Sequence, residues 1–296
     1  MQLCIEGDKE LDGYIGYRCS RKNVINVLLG QLRRFKSLWF KYYGVAFFYR
    51  YIMVIEQSKW QENYKVHSFL TDRYCRLSIP AVSQLFQETA EAHTNAYNMG
   101  YHSMIKSNKA WVLLRVYYEI MDYPTIYTDI SMQTWSRGFR GPIALRDFVI
   151  QNSDGKAAVK GTSTWCVIDM NSRMPQRCDK IMEHFPKNDD TATDKLLGKM
   201  MPCDDYSTAF EIKVPFMAID KAQHANNAMY MRWIMNALPC DMQEKAIKSV
   251  DISYVHETKM DDTIMVQYTK TDDNVYNFRL LNTSGVAMLC SIEFKN

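Results

Sequence analysis

The segment around residue 220 holds the residues with the strongest chemical character in this chain. Asp220 and His224 lie four positions apart and bracket the predicted passage from a strand into a helix. That spacing brings a carboxylate, an imidazole and the unpaired backbone N–H groups of a helix N-terminus around one point. The sequence therefore predicts an oxyanion site beside an acid–base pair. Downstream, Glu257 ends a predicted strand, where a carboxylate needs either a partner or a catalytic role.

Each of these three residues also has an ordinary structural interpretation. An Asp just before a helix is often only its N-cap, and a lone His at a helix start is often a cap or a surface residue. Glu257 could simply pair with a neighbouring cation such as Lys259. The sequence has no glycine-rich phosphate loop and no His or Cys cluster with metal-ligand spacing, so neither a cofactor nor a metal is predicted.

A longer motif surrounds the first two residues. The run from Asp220 to Trp233 resembles the D-x-N-x-H-V-N-N-x-x-Y-x-x-W signature of the acyl-acyl carrier protein thioesterases of plants and bacteria, and Glu257 resembles the glutamate on the strand that follows. The resemblance covers residues 60–296, in order and in both halves. Its other matches are Trp111 to Arg115, Pro124, Thr134 with Trp135, Arg146 to Phe148, and Thr164 to Arg177.

The resemblance implies an enzyme that hydrolyses fatty acyl thioesters of acyl carrier protein to free fatty acid and carrier protein. It places the catalytic residues Asp220, His224 and Glu257 on the second half of the chain. One carboxylate or the imidazole would activate a water molecule toward the thioester carbonyl, and the other groups would orient that base. Because the leaving thiolate is already a good leaving group, the reaction needs no metal.

The resemblance also implies which residues meet the substrate. Contacts are expected from Asn226, Asn227 and Trp111. The acyl chain would enter a pocket between the sheet and the helix of the first half, with Met99–Trp111 and the strand that ends at Met121 as walls. Sequence does not give the depth of that pocket and so leaves the preferred chain length open.

One position departs from the family pattern. The Asn that the family has midway between the Asp and the His is Ala222 here. Losing one such hydrogen-bond donor typically costs on the order of 10²–10³ in turnover. Three outcomes stay open: a slow enzyme, an enzyme that uses Asn226 or Gln223 instead, and an acyl-binding protein without hydrolysis. Thr258 stands where plant members often carry Cys, which gives little support to a covalent cysteine mechanism.

The distribution of charge along the chain indicates which kinds of partner it can bind. Residues 1–58 hold nine Lys or Arg and five Asp or Glu, so 27 basic and 28 acidic residues remain in the rest of the chain. Because those numbers are nearly equal, the rest of the chain does not have the basic charge of a nucleic-acid-binding protein. Arg137, Arg140 and Arg146 cluster in one segment. They would steer an acidic carrier protein or form a solvated basic loop.

The pattern along the chain predicts the fold. A strand, a long helix and several strands occur twice, at offsets of 134 and 130 residues between the two copies. With the resemblance, this predicts an α+β tandem double hotdog, two antiparallel sheets each wrapped around one long helix. His93 is expected to be a satisfied core residue. The predicted helices run from about Ile79 to Asn98, Lys195 to Met200 and His224 to Leu238, and the strands that open the halves are Tyr64–Leu70 and Phe210–Met217.

We expect four parts along the chain: an N-terminal extension (1–58) outside the core, a first hotdog (59–186) with the acyl pocket, a linker (187–206), and a second hotdog (207–296) with the catalytic residues. The extension has three interpretations: an upstream segment outside the native product, a helix packed on the body, and an interfacial anchor. Its uninterrupted apolar run is too short to span a membrane.

Eight cysteines without a CxxC pair indicate reduced thiols, and no secretory signal is visible at the start, so a cytoplasmic location is expected. Two hotdog units in one chain can reproduce internally the pairing that single-unit relatives achieve by dimerising. A monomer and a homodimer both fit the sequence. A hotdog thioesterase acting on coenzyme A thioesters is a further alternative.

Overall fold

The computed structural model describes residues 58–296. The three interpretations of the N-terminal extension concern residues that lie almost wholly outside this range. Within it, no helix has both the length and the apolar character needed to cross a membrane.

The first half packs a long helix against a curved antiparallel sheet. An edge strand opens it, the helix follows, and four longer strands complete the sheet. Its strands are β1 (Trp60–Lys65), β2 (Lys109–Ile120), β3 (Asp129–Arg140), β4 (Ile143–Asn152), β5 (Ala157–Asp169) and the short β6 (Pro175–Gln176); its helices are α1 (Ile79–Ala96), α2 (Tyr101–Lys106) and α3 (Cys178–Ile181).

The second half repeats this plan with shorter elements. An edge strand again precedes the main helix, and four strands follow. Its strands are β7 (Ser207–Lys213), β8 (Ile247–Tyr254), β9 (Thr263–Asp272), β10 (Val275–Asn282) and β11 (Gly285–Phe294), and its helices are α4 (Asn227–Ala237) and α5 (Cys240–Gln243). The predicted α+β double hotdog is confirmed.

The two sheets are joined edge to edge. Strand order is β1-β3-β4-β5-β2-β8-β11-β10-β9-β7, and β6 pairs with β5 outside that path. The junction is the antiparallel β2–β8 pair, with a register that runs from Arg115 opposite Ser253 to Glu119 opposite Ser249. The main helices α1 and α4 pack against each other, and the buried residues of both halves form one continuous core. The halves thus share a single hydrophobic interior.

Helix α1 forms where the sequence predicted it. Ser78 caps its N-terminus by accepting a hydrogen bond from the Ala81 backbone N–H, and Pro80 occupies the first turn, where its missing N–H costs nothing. Val82, Leu85 and Phe86 lie on its buried face. The helix ends at Ala96, two residues before the predicted end.

Three predicted elements were wrong. The strands of the two halves begin and end earlier than Tyr64–Leu70 and Phe210–Met217, because each edge strand gives way to one turn of 3-10 helix, at Ser68–Leu70 and at Phe216–Ala218. No helix forms at 195–200, where the linker crosses the sheet junction as irregular chain. Both 3-10 turns are closed by local backbone hydrogen bonds, from the Leu70 N–H to the His67 carbonyl oxygen at 2.9 Å and from the Ala218 N–H to the Pro215 carbonyl oxygen at 3.0 Å.

Gly161 allows α1 to lie close to the sheet. A Cβ at this position would lie 2.5 Å from Cε2 of Phe86, whose ring is stacked on Phe148 at 4.3 Å between ring centroids. We expect Gly161→Ala to lower the free energy of unfolding by about 1–3 kcal/mol through overpacking, as measured by denaturant titration. Gly198→Ala is the control, because a Cβ there meets no atom within 4 Å. Equal stability of the two variants would contradict this packing argument.

Candidate functional site

A tight turn positions Asp220 and His224. Ile219 and Ala225 form an antiparallel bridge, and the Asp220 backbone N–H donates to the His224 carbonyl oxygen at 2.9 Å. Gln223 closes the turn with a φ of +66°. We call residues 219–225 the site turn. The two predicted catalytic residues therefore face each other across a hairpin-like turn, and neither of them begins the helix.

The helix start differs from the prediction. Helix α4 begins at Asn227 rather than near His224, and Asn226 is its N-cap, accepting from the Ala228 backbone N–H at 2.9 Å. One of the N–H groups predicted to form an oxyanion site is thereby occupied. Ser, Thr, Asp and Asn are all common N-cap residues, and this motif contains two of them, Asp220 and Asn226. Asn227, the first helical residue, is half-buried.

His224 meets the carboxylate of Glu257. His224 Nε2 lies 3.1 Å from Glu257 Oε2, and the same oxygen forms an ion pair with the guanidinium of Arg173. The three side chains are partly exposed, with 24% of His224, 37% of Glu257 and 50% of Arg173 accessible, so water reaches them. The alternative pairing of Glu257 with Lys259 does not form.

Backbone contacts hold this pair in place. The Ala225 backbone N–H donates to the carbonyl oxygen of Thr258 at 2.8 Å, which ties the end of the site turn to the loop that carries Glu257. Asn282 Nδ2 donates to the Glu257 carbonyl oxygen at 3.0 Å and to Thr258 Oγ1 at 3.1 Å. The Thr258 side chain, fully buried, thus serves to anchor the loop.

Asp220 has a different environment. Its carboxylate oxygen Oδ1 accepts from the Ala222 backbone N–H at 2.8 Å, as in an Asx turn. Its hydrogen bond with His224 is the backbone bond across the turn. Ala222 itself is exposed. Of the three predicted catalytic side chains, the structure brings His224 and Glu257 together and leaves Asp220 beside them as the residue that shapes the turn.

Sequence reasoning missed Arg173. It lies in the loop between β5 and β6 of the first half, with a φ of +59°, and reaches across to Glu257 of the second half. The signal was present, because Arg173 falls within the Thr164 to Arg177 run that matches the family pattern. The pattern of that run predicted a strand and a turn. Its spacing gave no indication of a contact with Glu257, which lies 84 residues later in the chain.

A second contact joins the site turn to the first half. Tyr101 Oη donates to the carbonyl oxygen of Lys221 at 2.8 Å, and Lys221 Nζ lies 3.1 Å from Glu91 Oε1. Glu91 belongs to α1 and also lines a cavity of the first half. The site turn is therefore adjacent to that cavity.

The cavity lies between α1 and the sheet, where the acyl pocket was predicted. Trp111 lines it and donates from Nε1 to the Met99 carbonyl oxygen at 3.0 Å, so both ends of the predicted Met99–Trp111 wall are present. The end of β2 near Met121 does not reach it. The remaining lining is mostly apolar: Ala90, Ala144, Leu145, Trp165, Met182 and Phe185, with Gln87, Glu91, Thr94, Ser136 and Arg146 as its polar members.

The predicted arginine cluster is not a surface cluster. Arg146 is only 7% exposed and lies inside the molecule. Arg137 is directed to the fully buried Asp147, with 3.6 Å between Nη1 and Oδ2. Arg140 alone of the three is exposed. The prediction that these residues meet a carrier protein together was wrong, because alternation along β3 and β4 turns Arg146 toward the core.

His93 is buried as predicted, but it is not fully satisfied. Its Nδ1 accepts from Arg146 Nη1 at 3.1 Å, and its Nε2 has no hydrogen-bond partner. Burial, reinforced by the nearby Arg146 charge, lowers the pKa of His93 from 6.5 to about 2. The imidazole is therefore neutral in the folded protein.

This histidine predicts a pH effect on stability. Between about pH 6.5 and pH 2 the unfolded chain binds a proton at residue 93 that the folded chain excludes, so folding weakens as pH falls, by up to about 1.4 kcal/mol per pH unit. We expect His93→Asn, which keeps an acceptor for Arg146, to remove that contribution in denaturant titrations at successive pH values. The exposed His102, replaced in the same way, is the control. Parallel pH dependence of wild type and His93→Asn would contradict the assignment.

Comparison with known families agrees with the resemblance found in the sequence. Residues 57–185 match the model of the acyl-ACP thioesterase N-terminal domain, and residues 203–295 match the model of the C-terminal domain. Together the matches cover well over half of the chain.

Individual relatives are distant in sequence. The palmitoyl-acyl carrier protein thioesterase of Gossypium hirsutum is 24% identical over 73% of this chain, and the oleoyl-acyl carrier protein thioesterase 2 of Arabidopsis thaliana is 23% identical over 76%. Both are chloroplastic by name. This chain spans 56% of the length of the first relative and 67% of the second.

Solved structures share the fold. An acyl-ACP thioesterase from Bacteroides thetaiotaomicron superposes with a TM-score of 0.75 at 20% identity, covering 81% of this chain and 99% of that one. The 12:0-ACP thioesterase from Umbellularia californica gives a TM-score of 0.73 at 18% identity, covering 81% and 98%.

Proposed function

Since this chain belongs to the acyl-ACP thioesterase family, we propose that it hydrolyses fatty acyl thioesters of acyl carrier protein to free fatty acid and carrier protein. The observation that carries the proposal is the contact of 3.1 Å between His224 Nε2 and Glu257 Oε2, on a site turn adjacent to a mostly apolar cavity. An acid–base pair serves hydrolysis, and an apolar cavity of this kind suits an acyl chain.

The geometry supports a role for each member of the pair. With Nε2–H donating to Glu257, the imidazole presents Nδ1 as its basic nitrogen, and Glu257 stabilises the imidazolium that forms. Nδ1 takes a proton from water as the water oxygen attacks the thioester carbon. The tetrahedral intermediate then collapses, the C–S bond breaks, and the imidazolium returns the proton to the leaving sulfur. The products are a carboxylic acid and a thiol.

The neighbouring residues position this pair. Arg173 contacts the Glu257 oxygen that faces His224, and its charge compensates the carboxylate. Asp220 fixes the site turn through Ala222. We assign Asn227, at the start of α4, to the carbonyl oxygen of the substrate, and Asn226 to the cap that places it. Trp111 contributes to the wall of the acyl cavity.

A second candidate function is acyl binding without efficient hydrolysis, and Ala222 motivates it. In the hydrolase, Ala222→Asn adds an amide donor on an exposed position of the site turn. We expect this variant to raise kcat by up to about 10²-fold, because one oxyanion donor typically contributes that much. Release of free thiol from acyl-acyl carrier protein measures it, with Ala222→Ser as the control for a smaller polar group. Turnover only in the Asn variant would favour the binding protein.

Coenzyme A thioesters are the alternative substrates. The same acyl chain presented on carrier protein and on coenzyme A separates the two, and we expect the larger kcat/KM with carrier protein. Equal values would remove carrier protein from the proposal. Arg140, on the surface, is the remaining residue of the predicted docking cluster. Its charge reversal is expected to raise KM for the carrier substrate only.

We also propose that the protein is located in the cytoplasm and that it is a monomer. The six cysteines within the described range are all free, which supports a reducing compartment such as the cytoplasm. Joining of the two units through β2 and β8 supports a monomer, which light scattering would distinguish from a homodimer.

A further inference from the structure

Three residues form a closed cluster where the site turn meets the first half. Tyr101 Oη donates to the carbonyl oxygen of Lys221 at 2.8 Å, and Lys221 Nζ lies 3.1 Å from Glu91 Oε1. The Tyr101 backbone N–H donates to the same Glu91 oxygen at 2.9 Å, and Lys221 Nζ lies 4.8 Å from the centroid of the Tyr101 ring. Each of the three residues therefore contacts the other two. We call Glu91, Tyr101 and Lys221 the clasp.

The first-half side of the clasp is held in place by its surroundings. Glu91 lies on α1 and lines the cavity, and Tyr101 is the first residue of α2, directly after Gly100. A Cβ at position 100 would lie 1.7 Å from Oδ1 of Asn95, so the chain between the two helices lies directly against α1. Tyr101 is thus anchored to the helix that forms one wall of the cavity.

The second-half side of the clasp is the tip of the site turn. The base of this turn is closed within the second half by the antiparallel bridge between Ile219 and Ala225. Within the described part of the chain, the hydrogen bonds and ion pairs that join residues 220–223 to groups outside the turn are those of Lys221 with the clasp. The tip that precedes His224 is therefore positioned from the first half.

This arrangement bears on catalysis because the two halves hold different parts of the substrate. Under the proposed function, the acyl chain lies in the cavity of the first half, and the thioester carbon meets water activated by His224 of the second half. A misplacement of about 1 Å in such a geometry can lower turnover by about 10²-fold. Binding of the acyl chain in the cavity therefore assists the reaction only while His224 is aligned with that cavity.

We propose that Tyr101 is a positioning residue, which holds His224 at a fixed place relative to the acyl cavity through its hydrogen bond to Lys221. This inference rests on the proposed function in taking His224 as the base and the cavity as the acyl site. The ion pair between Lys221 and Glu91 is expected to contribute less, because the Lys221 side chain is 57% exposed and exposed ion pairs are weak. The Tyr101 hydroxyl, in contrast, holds the backbone of the turn itself.

Tyr101→Phe removes this hydroxyl and keeps the ring. We expect kcat for palmitoyl-acyl carrier protein to fall by about tenfold, with KM nearly unchanged. For acetyl-acyl carrier protein we expect a loss of at most about twofold, because an acetyl group does not fill the cavity and can follow a displaced turn. Thiol release measures both. Glu91→Gln keeps an acceptor for the Tyr101 N–H and should show the same difference to a smaller extent. Tyr127→Phe, at an exposed tyrosine, is the control.

Equal losses with the two substrates would overturn the proposal, because they would show general damage to the turn, and so would full activity of Tyr101→Phe with the palmitoyl substrate. Hydrogen exchange gives a second measurement that needs no turnover. We expect the backbone N–H groups of residues 220–223 to exchange at least about tenfold faster in Tyr101→Phe than in wild type or Tyr127→Phe. Equal exchange would also overturn the proposal. A wild-type chain that releases no thiol contradicts the proposed hydrolysis, and hydrogen exchange then decides whether Tyr101 positions the turn.

Discussion

Replacing His224 by alanine is expected to lower kcat for acyl-acyl carrier protein by about 10²–10⁴-fold, the range that a positioned general base contributes. The imidazole is the basic group beside the cavity, and its only described side-chain partner is Glu257, at 3.1 Å. Removing a side chain that is 24% exposed should leave the fold intact. Thiol release under saturating substrate measures the effect. The exposed His102, replaced by alanine, is the control.

Replacing Glu257 by glutamine is expected to lower kcat by a similar factor and to leave KM nearly unchanged. The amide keeps the size of the side chain, but it cannot balance a positive charge on His224 or form an ion pair with Arg173. Arg173→Met should give a smaller loss in the same parameter, because Arg173 acts through Glu257. Full activity in either His224→Ala or Glu257→Gln would show that the chemistry lies elsewhere.

Arg115→Met is expected to lower the free energy of unfolding by about 3–5 kcal/mol, the usual result of removing one partner of a buried ion pair. Arg115 lies on β2 at the junction of the two sheets, and its side chain is 10% exposed. It forms an ion pair with Asp251 of β8, donates from Nε to the Ile252 carbonyl oxygen at 2.9 Å, and donates from Nη1 to the carbonyl oxygen of Gly198 in the linker. One side chain thus fastens both halves and the linker.

Denaturant titration of Arg115→Met beside Arg232→Met measures this effect, since Arg232 is exposed on α4. The double variant Arg115→Met with Asp251→Leu should recover part of the loss, because it removes both charges. If Arg115→Met were as stable as the Arg232 control, the junction would not depend on this ion pair.

Local patterns predicted most of the fold. The repeated order of a strand, a long helix and several strands was visible in the sequence, and helix α1 begins at the predicted Ile79. These features depend on neighbours in the chain. The pairing of β2 with β8 was not predicted, because the pairing of strands that are distant in the chain produces no recognisable pattern in the local sequence.

The candidate site was predicted in part for the same reason. His224 and Glu257 were predicted as catalytic residues because they match positions of the family motif. The structure shows in addition that the two side chains are in contact. The contact of Arg173 with Glu257 was not predicted, because the two residues lie 84 positions apart and only the packing of the two halves brings them together. The start of α4 was misplaced because two good capping residues, Asp220 and Asn226, stand six positions apart.

The central claim is that this chain adds water to an acyl thioester at the site formed by His224 and Glu257. A single turnover of acyl-acyl carrier protein in ¹⁸O-labelled water, with enzyme in excess, tests it directly. We expect one equivalent of free thiol and a fatty acid with one labelled oxygen. Unlabelled acid, with the label in a protein carboxylate, would mean that a carboxylate attacks the thioester first and that water then cleaves the resulting anhydride at the protein carbonyl. Absence of thiol release from every acyl chain offered would contradict the claim itself.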